Sequence, residues 1–482
     1  MKKTVTSPIM LMLLMSMLTL AFGVQTASAY LPVHNKNTGL DYGTIQEAID
    51  APETLNGHTI LVDAGTYSGY EYVNVYKRVS LVGENRKTTV IDGMGIWVTA
   101  DNVTITNFTI RNRGHAPNAI DSMGENTTIT NNILTNNDVN LMIHGSNSMI
   151  TDNVIANGSW GVYLQGKSTD VTRNIGMSNN LVANNTNGIM LEGVHNCRLR
   201  NNTLNENLFS ISVGATGTVG EWMLSQFIHD VDTSNTVNGK PIYYWVNQHN
   251  KQVPEDAGWV VIVNSTDITM KNLEITRNYE GINLQFTKNS IIEDVRVSNC
   301  RVGIMVGLYS CDNMIIQSKI ENNDQGLYLD WQTTRNSIHH NSFINNTKQV
   351  YTSRSYPNIW DDGYPSGGNY WSGYTDVDLY SGPSQDQPGS DNIWDHPYVI
   401  DSNNQDHYPF VNKWSAADVN HDGVVDVLDA AAISAHWHPG PPIGSLGFDS
   451  NFDINGDGSI DVLDAALVSA YWTGPPKGPS AP

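Results

Sequence analysis

Apolar and polar residues alternate through the middle of the chain in a phrase that recurs about every two dozen residues between positions 102 and 346. Each phrase contains short runs with an apolar, often β-branched residue at every second position, and Asn or Gly separates the runs. This period of two predicts short β-strands joined by tight turns. Clear copies begin at Asn126 (NTTITNNILTNN), Asn147 (NSMITDNVIANG), Asn289 (NSIIEDVRVSN) and Asn336 (NSIHHNSFINN).

One such repeat cannot bury its own apolar side, so successive repeats must stack and pair their strands in parallel. The fold class predicted is therefore all-β, a right-handed parallel β-helix of about ten coils. Asn at equivalent positions of successive coils is expected to form hydrogen-bonded ladders. The phrase is lost between Asn201 and Asn272, and the segment 214–262 is predicted to be an insertion or a set of degenerate coils.

The two ends of the repeat region carry different signals. Thr44 and Glu47 form a capping box that opens a short amphipathic helix, which we expect to cover the open end of the solenoid. After residue 357 the repeat gives way to Trp, Tyr, Pro, Gly and Asp. The predicted organisation is a signal peptide (1–29), the β-helix with its cap helix and insertion (30–357), an aromatic and Asp-rich cap (358–413), a small domain (414–474) and a Pro-rich tail (475–482).

Residues 1–29 have the pattern of a secretory signal. Lys2 and Lys3 precede an apolar run, and Ala27-Ser28-Ala29 has the small residues of a cleavage site. The alternative is an uncleaved membrane anchor, although the apolar run is short for a membrane span. No later stretch is apolar enough to cross a bilayer, so we expect a secreted or cell-surface-associated protein without a transmembrane anchor after cleavage.

Composition narrows the range of partners. The 482 residues include 26 Lys and Arg against 48 Asp and Glu, a formal net charge of −22. This acidity argues against nucleic acid or an anionic membrane surface as partner. The chain has 55 Asn and 41 Gly, both of which tolerate left-handed backbone, so many turns are expected.

Several phrases resemble those of the NosD-like β-helix proteins, which belong to a broader group of carbohydrate-binding and sugar-hydrolysing β-helices. The resemblance covers roughly residues 31–410 and implies the fold more strongly than the activity. It also raises copper binding, for which His339-His340 is the only adjacent His pair and Met142, Met190 and Met305 share one outward row. The phrases are Thr44-IQEAIDA, His58-TILVDAGTY, Val79-SLVGENR, Val237-NGKPIYYWVNQ and Gly368-NYWSGY.

The strands that follow a Gly in each repeat are predicted to present polar and aromatic residues on one long outer face. Aromatic rings stack on sugar rings, while amides and carboxylates bond sugar hydroxyls, so this face suits a polysaccharide. The alternative is an ordinary solvated surface, partly covered by the 214–262 insertion. The candidate substrate-binding residues are Asp121, His144, Tyr163, Gln165, Glu192, Asn283, Gln285, Tyr328, Asp330 and Trp331.

The sequence does not identify catalytic residues. A glycoside hydrolase usually needs two carboxylates at a defined separation, and Asp121, Glu192 and Asp330 are scattered over many coils. A polysaccharide lyase or glycoside hydrolase nevertheless stays open beside a non-catalytic binder. In the cap, acidic residues between Asp376 and Asp395 can hold one further calcium ion, although Ser-Gly-Pro and Ile-Trp interrupt the run; the alternative is a purely aromatic cap.

The tail contains a motif of oxygen-bearing residues that is repeated at an offset of 35 residues, from Asp418 to Asp453. Each copy has oxygen side chains at loop positions 1, 3, 5, 9 and 12 and a Gly at position 6, the pattern of a loop that wraps a calcium ion. Position 7 supplies a backbone carbonyl. Two calcium ions are predicted, held by Asp418, Asn420, Asp422, Val424, Asp426 and Asp429, and by Asp453, Asn455, Asp457, Ser459, Asp461 and Asp464.

A helix is predicted after each loop but not before it. This duplicated loop-then-helix pattern resembles the type I-like dockerin module of cellulosome-type assemblies. The resemblance implies a cohesin-type partner that contacts loop positions 10 and 11, here Val427, Leu428, Val462 and Leu463. Because both copies carry the same pair, two docking orientations related by a half-turn are expected.

These patterns together predict a secreted calcium-binding β-helix protein that binds polysaccharide along its solenoid and docks to a cohesin-bearing partner. The first alternative is a polysaccharide lyase or glycoside hydrolase of a multi-enzyme complex. The second is a structural cell-surface protein.

Overall fold

The computed structural model describes residues 30–111, 118–166, 172–354, 356–415, 417–419, 425–437, 452–454 and 459–472. The predicted signal peptide and the Pro-rich tail lie outside these ranges. The chain is a β-solenoid of about 12 turns, so the prediction of a parallel β-helix is confirmed and its estimate of about ten coils was slightly low. Two stacks of coils, which follow one another along one shared sheet, make up the solenoid and are called here the first lobe (residues 30–239) and the second lobe (residues 240–413).

Three sheets build the first lobe, and each complete coil contributes one strand to each sheet. Sheet 1 stacks, in spatial order, Leu40–Tyr42, Val33–Asn35, Thr59–Val62, Ser80–Gly83, Thr104–Thr106, Thr128–Thr130, Met149–Thr151, Gly176–Ser178, Arg198–Arg200 and Asp230–Val231. Sheet 3 stacks Val73–Val75, Ile96–Val98, Asn118–Ser122, Val139–Ile143, Trp160–Gln165, Asn187–Glu192 and Phe209–Gly214.

Sheet 2 has 14 strands and runs through both lobes. Its strands in order are Gly65–Ser68, Thr89–Asp92, Thr109–Arg111, Ile133–Thr135, Val154–Ala156, Leu181–Ala183, Thr203–Asn205, Thr236–Val237, Lys240–Val246, Trp259–Val263, Glu280–Gln285, Val302–Val306, Gln325–Leu329 and Lys348–Thr352. The second lobe adds sheet 4 (His249–Gln252, Thr266–Lys271, Ile291–Glu293, Met314–Ile316, Ser337–His339) and sheet 5 (Glu274–Thr276, Arg296–Ser298, Lys319–Glu321, Ser342–Ile344, Tyr370–Trp371).

The strand direction in sheet 2 reverses between the lobes. Strand Thr236–Val237 pairs antiparallel with Lys240–Val246, whereas the strands on either side of this junction pair in parallel. Asn238 and Gly239 both have positive φ, 48° and 83°, as a type I′ hairpin turn requires. The segment 214–262 is therefore neither a lid nor a plain run of coils, because it contains the hairpin at which the strand direction of sheet 2 reverses.

The hydrophobic core changes side of the sheet at the same place. Strand Trp259–Val263 is buried on both faces: Trp259, Val261 and Val263 belong to the core of the first lobe, and Val260 and Ile262 to that of the second. A strand covered on both sides reads as a continuous apolar run rather than an alternation. The two lobes are thus joined through shared strands of one sheet.

Buried Asn side chains form ladders along the coils, as the repeat predicts. In one of them Asn180 donates from Nδ2 to Asn202 Oδ1 at 2.9 Å, and its own Oδ1 accepts the backbone N–H of Asn153 at 3.1 Å. Left-handed residues precede the ladder positions, for example Asn131 at φ +54° and Asn179 at φ +56°. Asn suits both roles, because it tolerates this backbone and offers a donor and an acceptor.

The remaining elements lie outside the five stacked sheets. Helix Ile45–Asp50 begins at Thr44 with the predicted capping box and buries Ile45, Ala48 and Ile49 against the first lobe. A 3-10 helix spans Glu221–Phe227. The C-terminal cap contains two hairpins, Tyr380–Ser381 with Gln387–Pro388 and Tyr398–Asp401 with Asn404–Asp406. Helices Val427–Ala435 and Val462–Ala470 form the small C-terminal domain.

Candidate functional site

A row of outward side chains crosses sheet 3 of the first lobe. Parallel pairing in register aligns one residue from each of six successive strands, which places neighbours about 4.8 Å apart. This row is Trp97, Asp121, Met142, Tyr163, Met190 and Ser212. The register places these residues in one row and adds Trp97, whose side chain is 42% exposed. A substrate-binding role for the row stays a prediction.

At the start of the row, Asp121 and His144 lie close together. Asp121 Oδ2 accepts a hydrogen bond from Asn118 Nδ2 at 2.9 Å, and Asp121 Oδ1 lies 3.7 Å from His144 Nε2. Both side chains are largely shielded from solvent. These two residues therefore form a held pair under the surface rather than an open binding group.

Further along the row, the side chain of Tyr163 contacts Glu192, Gln165 and Trp160. Its hydroxyl donates to the carboxylate of Glu192 and accepts from Gln165 Nε2 at 3.3 Å. The ring of Trp160 stacks on Tyr163 with 5.3 Å between centroids. Burial, followed by the Glu192 carboxylate, raises the pKa of Tyr163 well above its usual range. The phenol therefore stays protonated and serves as a hydrogen-bond donor.

Residues of the second lobe lie beside this cluster. Tyr279 packs edge-on against Phe209 at 6.0 Å, and the guanidinium of Arg301 lies 4.8 Å from the Tyr279 ring centroid. Burial raises the pKa of Tyr279, the Arg301 guanidinium acts against that rise, and Glu280 and then Glu192 add to it. We call the group of Trp160, Tyr163, Glu192, Tyr279 and Arg301 the inter-lobe corner. It combines aromatic faces, a carboxylate and an exposed cation, the groups that recognise sugars.

Hydrogen bonds join the last strand of sheet 3 to the second-lobe segment that carries Tyr279. Ser210 N–H donates to the carbonyl of Arg277 at 3.0 Å, and Ser212 Oγ donates to Glu280 Oε1 at 2.9 Å. Glu280 is fully buried, and desolvation raises its pKa to about 8. Ser212 is covered by these contacts, and Met190 beside it in the row is 9% exposed.

Asn283 and Gln285, predicted to line the outer face, are completely buried. Their register partners are Val261 and Val263, which belong to the core of the first lobe. The side chains therefore point out of their own lobe but into the neighbouring one, where Gln285 Nε2 donates to Asn283 Oδ1 at 2.8 Å. Because the strand direction and the core side change at the hairpin, the predicted single face is two separate rows.

At its far end, the outward row of the second lobe is no longer covered by the first lobe. Tyr328 and Tyr351 stack with 4.9 Å between centroids, and Arg354 lies 5.0 Å over the ring of Trp331. Asp330 Oδ1 accepts a hydrogen bond from Ser353 Oγ at 2.8 Å. Burial raises the pKa of Tyr328 to about 12. These partly exposed residues form a second aromatic patch, separate from the inter-lobe corner.

The predicted carboxylates do not form a hydrolytic pair. Asp121 and Glu192 lie on strands three apart in sheet 3, which separates their backbones by about 14 Å at the usual strand spacing. Asp330 lies in the second lobe. Glycoside hydrolases hold their two carboxyl groups about 5–9.5 Å apart, so these three residues do not supply that geometry.

The methionines considered for copper are not gathered either. Strand Trp160–Gln165 lies between Met142 and Met190 in sheet 3, and Met305 belongs to the second lobe.

The acidic residues of the cap act within turns. Asp378 Oδ1 accepts the backbone N–H of Asp391 at 3.1 Å, and its Oδ2 accepts that of Asn392 at 3.2 Å. Asp395 accepts the N–H groups of Leu379 and Tyr380. These contacts explain the carboxylates as turn acceptors, and a further calcium ion between Asp376 and Asp395 stays a prediction.

In the C-terminal domain, the last acidic positions of each loop also build the helix start. Asp426 caps helix Val427–Ala435 by accepting the Leu428 N–H at 2.7 Å, and Asp429 Oδ2 accepts the Asp426 N–H at 2.8 Å. Asp461 and Asp464 repeat the arrangement at 2.8 and 2.8 Å. Each helix therefore begins on the predicted metal loop, which couples loop geometry to helix formation. Asn420, Asp422, Val424, Asn455 and Asp457 lie outside the described residues.

The donor set fits a divalent cation. Asp429 and Asp464 are 0% exposed and Asp418 is 6% exposed. Residues 415–474 contain nine Asp but no Lys, Arg or Glu. Buried carboxylates require a compensating charge, and this domain has no cationic side chain to supply it except its His residues. Hard oxygen ligands of this kind suit calcium.

The four predicted docking residues are on the surface. Val427 and Leu428 are 61% and 56% exposed, and Val462 and Leu463 are 62% and 56% exposed. The core of the domain is built instead from residues of both copies, including Val425, Ile433, Ile460 and Val468. Two equivalent apolar pairs are thus left uncovered within the described part of the domain.

Sequence reasoning missed Trp97, Tyr279 and Arg301. Trp97 was missed because its repeat precedes the region where the phrase is clear, and Tyr279 and Arg301 because the reversal that brings them to sheet 3 was not foreseen. The signal for the reversal was the Asn238-Gly239 dipeptide between two apolar runs, which favours a hairpin.

Three family models match the chain. Residues 73–225 match the right handed beta helix region, residues 228–376 match the periplasmic copper-binding protein (NosD) family, and residues 416–474 match the dockerin type I domain. The division between the first two falls near the reversal of sheet 2. No protein with a curated description matches the chain.

Solved structures of other proteins are similar at low identity. The A-module of mannuronan C-5 epimerase AlgE6 from Azotobacter vinelandii has 17% identity over 65% of this chain and 92% of that chain, with a TM-score of 0.35. The catalytic unit of the GH87 α-1,3-glucanase from Streptomyces thermodiastaticus has 14% identity over 66% and 65%, with a TM-score of 0.34. Likenesses at this level carry no conclusion about activity. Across the described ranges, no helix is both long and apolar enough to cross a membrane.

Proposed function

We propose that this chain, a NosD-like right-handed parallel β-helix protein with a C-terminal type I dockerin module, is a secreted component that binds polysaccharide. Its dockerin module docks, in a calcium-dependent manner, to a cohesin-bearing partner. The predicted signal at 1–29 supports export, and N-terminal sequencing of the released protein should then begin at Tyr30. A product that keeps residues 1–29 would contradict export by cleavage.

One observation carries the docking proposal: the same exposed Val-Leu pair opens both helices of the C-terminal domain. An exposed apolar pair is unremarkable singly, but two copies in equivalent helix positions with nearly equal exposure form a repeated contact surface. Asp426 and Asp461 cap these helices, so calcium in the loops would hold each pair in place.

A direct test of docking titrates the full-length chain with a panel of type I cohesin modules by calorimetry, in calcium and in EGTA. Binding to at least one module in calcium, with loss in EGTA, supports the proposal. No binding to any module in calcium, while the same calorimetry detects calcium uptake by the chain, would contradict it.

Polysaccharide is proposed to bind at the inter-lobe corner. The stacked Trp160 and Tyr163 offer ring faces, while Glu192 and Arg301 offer an acceptor and donors for hydroxyl or carboxylate groups. The corner combines residues of both lobes, so a bound sugar would contact groups of each lobe at once.

A glycan panel separates this proposal from its alternatives. Retention of an intact oligosaccharide supports a binder. New reducing ends or unsaturated sugars would establish a hydrolase or lyase instead. Absence of retention on every glycan would favour a structural surface protein that docks without binding sugar.

A further inference from the structure

A loop of the first lobe, residues 84–88, joins sheet 1 to sheet 2 and carries two adjacent cations, Arg86 and Lys87. Asn85 holds the loop together. Its Oδ1 accepts the Lys87 N–H at 2.9 Å, and its carbonyl accepts the N–H groups of the two residues after Lys87 at 3.0 and 2.8 Å. The Arg86 carbonyl accepts the Thr109 hydroxyl of the next coil at 2.5 Å. These bonds fix the backbone from which both cationic side chains extend.

The Arg86 side chain lies over the turns of the following coils. Its Nη1 donates to Asn131 Oδ1 at 2.8 Å and lies 3.4 Å from the carbonyl oxygen of Asp152. Asn131 in turn donates from Nδ2 to Asn107 Oδ1 at 2.7 Å. Parallel pairing places Asn107, Asn131 and Asp152 at equivalent turns of three successive coils. One nitrogen of the guanidinium is thus bound by the protein, and this orients the whole planar group.

The other edge of the Arg86 guanidinium is available. Its Nε and Nη2 make no hydrogen bond or ion pair with the residues that the structure describes. Arg335 shows what this edge binds, because its Nε and Nη2 donate to the two carboxylate oxygens of Asp312 at 2.7 and 2.6 Å. Such a planar fork matches the geometry of a carboxylate. Arg86 therefore presents an oriented carboxylate-binding edge for which the described protein supplies no carboxylate.

Arg86 lines a surface cavity of about 390 Å³ between the loop and the turns, a volume within the range of about 300–1,000 Å³ for small-ligand sites. The remaining lining residues are Glu84, Asn85, Lys87, Asn107 and Asn131. All six side chains are polar or charged, so the cavity suits a hydrophilic acid rather than a fatty or aromatic one. Amide and carboxylate groups of this kind bond hydroxyls.

The charge of the chain makes this pair of cations unusual. The formal net charge is −22, so an anion is attracted only where cations are concentrated locally. Arg111, Arg277 and Arg335 each form an ion pair with an Asp or Glu. Across the described ranges, no Asp or Glu forms an ion pair with Arg86 or Lys87. Their charge is therefore left for a ligand.

We propose that this cavity binds one acidic sugar unit, a uronate, through its carboxylate. The two carboxylate oxygens accept from Nε and Nη2 of Arg86, Lys87 supplies the second positive charge, and the Asn85 and Asn107 amides bond ring hydroxyls. This second site lies between sheets 1 and 2, whereas the inter-lobe corner uses sheet 3 and the second lobe. The choice of a sugar acid rests on the proposed polysaccharide binding together with the wholly polar lining.

The test measures the Kd of sodium D-galacturonate, and of neutral D-galactose, for the full-length chain by saturation-transfer NMR. Low salt is used because salt screens exposed charges, and the calcium concentration is fixed. Arg86→Gln removes the fork. Asn131→Asp keeps Arg86 but gives it an internal carboxylate, and Asp is already present at the equivalent turn position 152. The control is Arg78→Gln, an exposed arginine just before the strand that Arg86 follows, which makes the same change in charge.

Galacturonate should bind the wild type and R78Q equally, and R86Q and N131D at least about tenfold more weakly. R86Q should leave the Kd of D-galactose unchanged. W160A, which alters the inter-lobe corner, should keep galacturonate binding at this cavity, so failure of one site is distinguishable from failure of the other. Equal galacturonate affinity in the wild type and R86Q, or an equal loss in R78Q, would overturn the proposal. Displacement of galacturonate by equimolar sulfate would overturn the choice of a sugar acid.

Discussion

Ser212 Oγ donates a hydrogen bond of 2.9 Å to Glu280 Oε1 across the boundary between the two lobes. Ser212 ends the outward row of sheet 3, and Glu280 opens the third strand after the reversal in sheet 2. The second carboxylate oxygen of Glu280 is buried without a partner. The carboxyl group is therefore held protonated by its surroundings, consistent with its pKa of about 8.

Glu280→Gln should remove a pH dependence of stability. The folded pKa of about 8 lies above the ordinary value of 4.5, so the neutral carboxyl contributes fully below pH 4.5 and its contribution is lost as the pH rises towards 8. The loss is on the order of 5 kcal/mol. Calorimetric Tm values should favour E280Q over the wild type increasingly from pH 4.5 to pH 8.

Asp406, whose pKa burial raises to about 7, acts in the same direction but is present in both proteins, so the difference isolates Glu280. Glu125→Gln, at an exposed carboxylate, is the matched control and should follow the wild type at every pH. A Tm difference between E280Q and the wild type that stays constant over this range would contradict the account.

The sequence was sufficient to predict the coils because their physical signal is local. A single repeat is enough to recognise the alternation of apolar and polar strand residues and the Asn residues of the turns. The same holds for each position of the Asn ladder, here Asn153, Asn180 and Asn202. The capping box at Thr44 is likewise local, and all of these features are present. Position in the duplicated loops also predicted the surface placement of Val427 and Leu428.

The path of the solenoid could not be predicted from repeat spacing, because a single turn at Asn238-Gly239 changes it. The sequence of the apolar run Trp259–Val263 does not indicate which residues pack into the hydrophobic core of the first lobe and which into that of the second. The burial of Asn283 and Gln285 follows from that choice, since their own alternation is that of an exposed row. The site at the inter-lobe corner depends on contacts between residues about 70 positions apart, such as Phe209 and Tyr279, which no local pattern encodes.

Removing one rung of the Asn ladder should destabilise the first lobe. Asn180→Ala leaves the Asn153 backbone N–H and the Ile150 carbonyl without their partners at 3.1 and 2.9 Å. Each buried unpaired group costs about 1–3 kcal/mol, so we expect a loss of about 3 kcal/mol in the free energy of unfolding, measured by urea denaturation. Asn74→Ala, at an exposed strand position, should change it by less than about 0.5 kcal/mol. Equal losses in the two variants would contradict the structural role of the ladder.

Calcium stoichiometry should follow the buried position-12 carboxylates. Calorimetric titration of the full-length chain should give two calcium ions, one in either Asp429→Asn or Asp464→Asn, and none in the double variant, because each Asp serves a separate loop. Asp386→Asn, in the cap, is the control and should retain both ions. A third ion that disappears in D386N would instead place calcium in the cap, and two ions in the double variant would refute the loop assignment.

Glycan affinity should depend on the inter-lobe corner. Trp160→Ala removes the ring stacked on Tyr163, and loss of one stacking contact of about 1–2 kcal/mol weakens binding roughly 5- to 30-fold. Trp222→Ala, an exposed Trp outside both rows, should bind as the wild type does. Titration of the retained oligosaccharide provides the measurement. If W222A weakens binding and W160A does not, the sugar binds elsewhere.

The central claim is that the C-terminal domain binds calcium and has two equivalent docking surfaces. It is tested most directly by cohesin titration of variants in which the Val-Leu pair is changed in one copy of the loop–helix motif or in both copies. Substituting Val427 and Leu428 with Asp, or Val462 and Leu463 with Asp, should leave affinity for a type I cohesin within about threefold of the wild type, because the untouched pair still docks. Substituting all four residues should abolish binding while two calcium ions remain bound. Retained binding by the fourfold variant, or complete loss in both single-copy variants, would contradict the account.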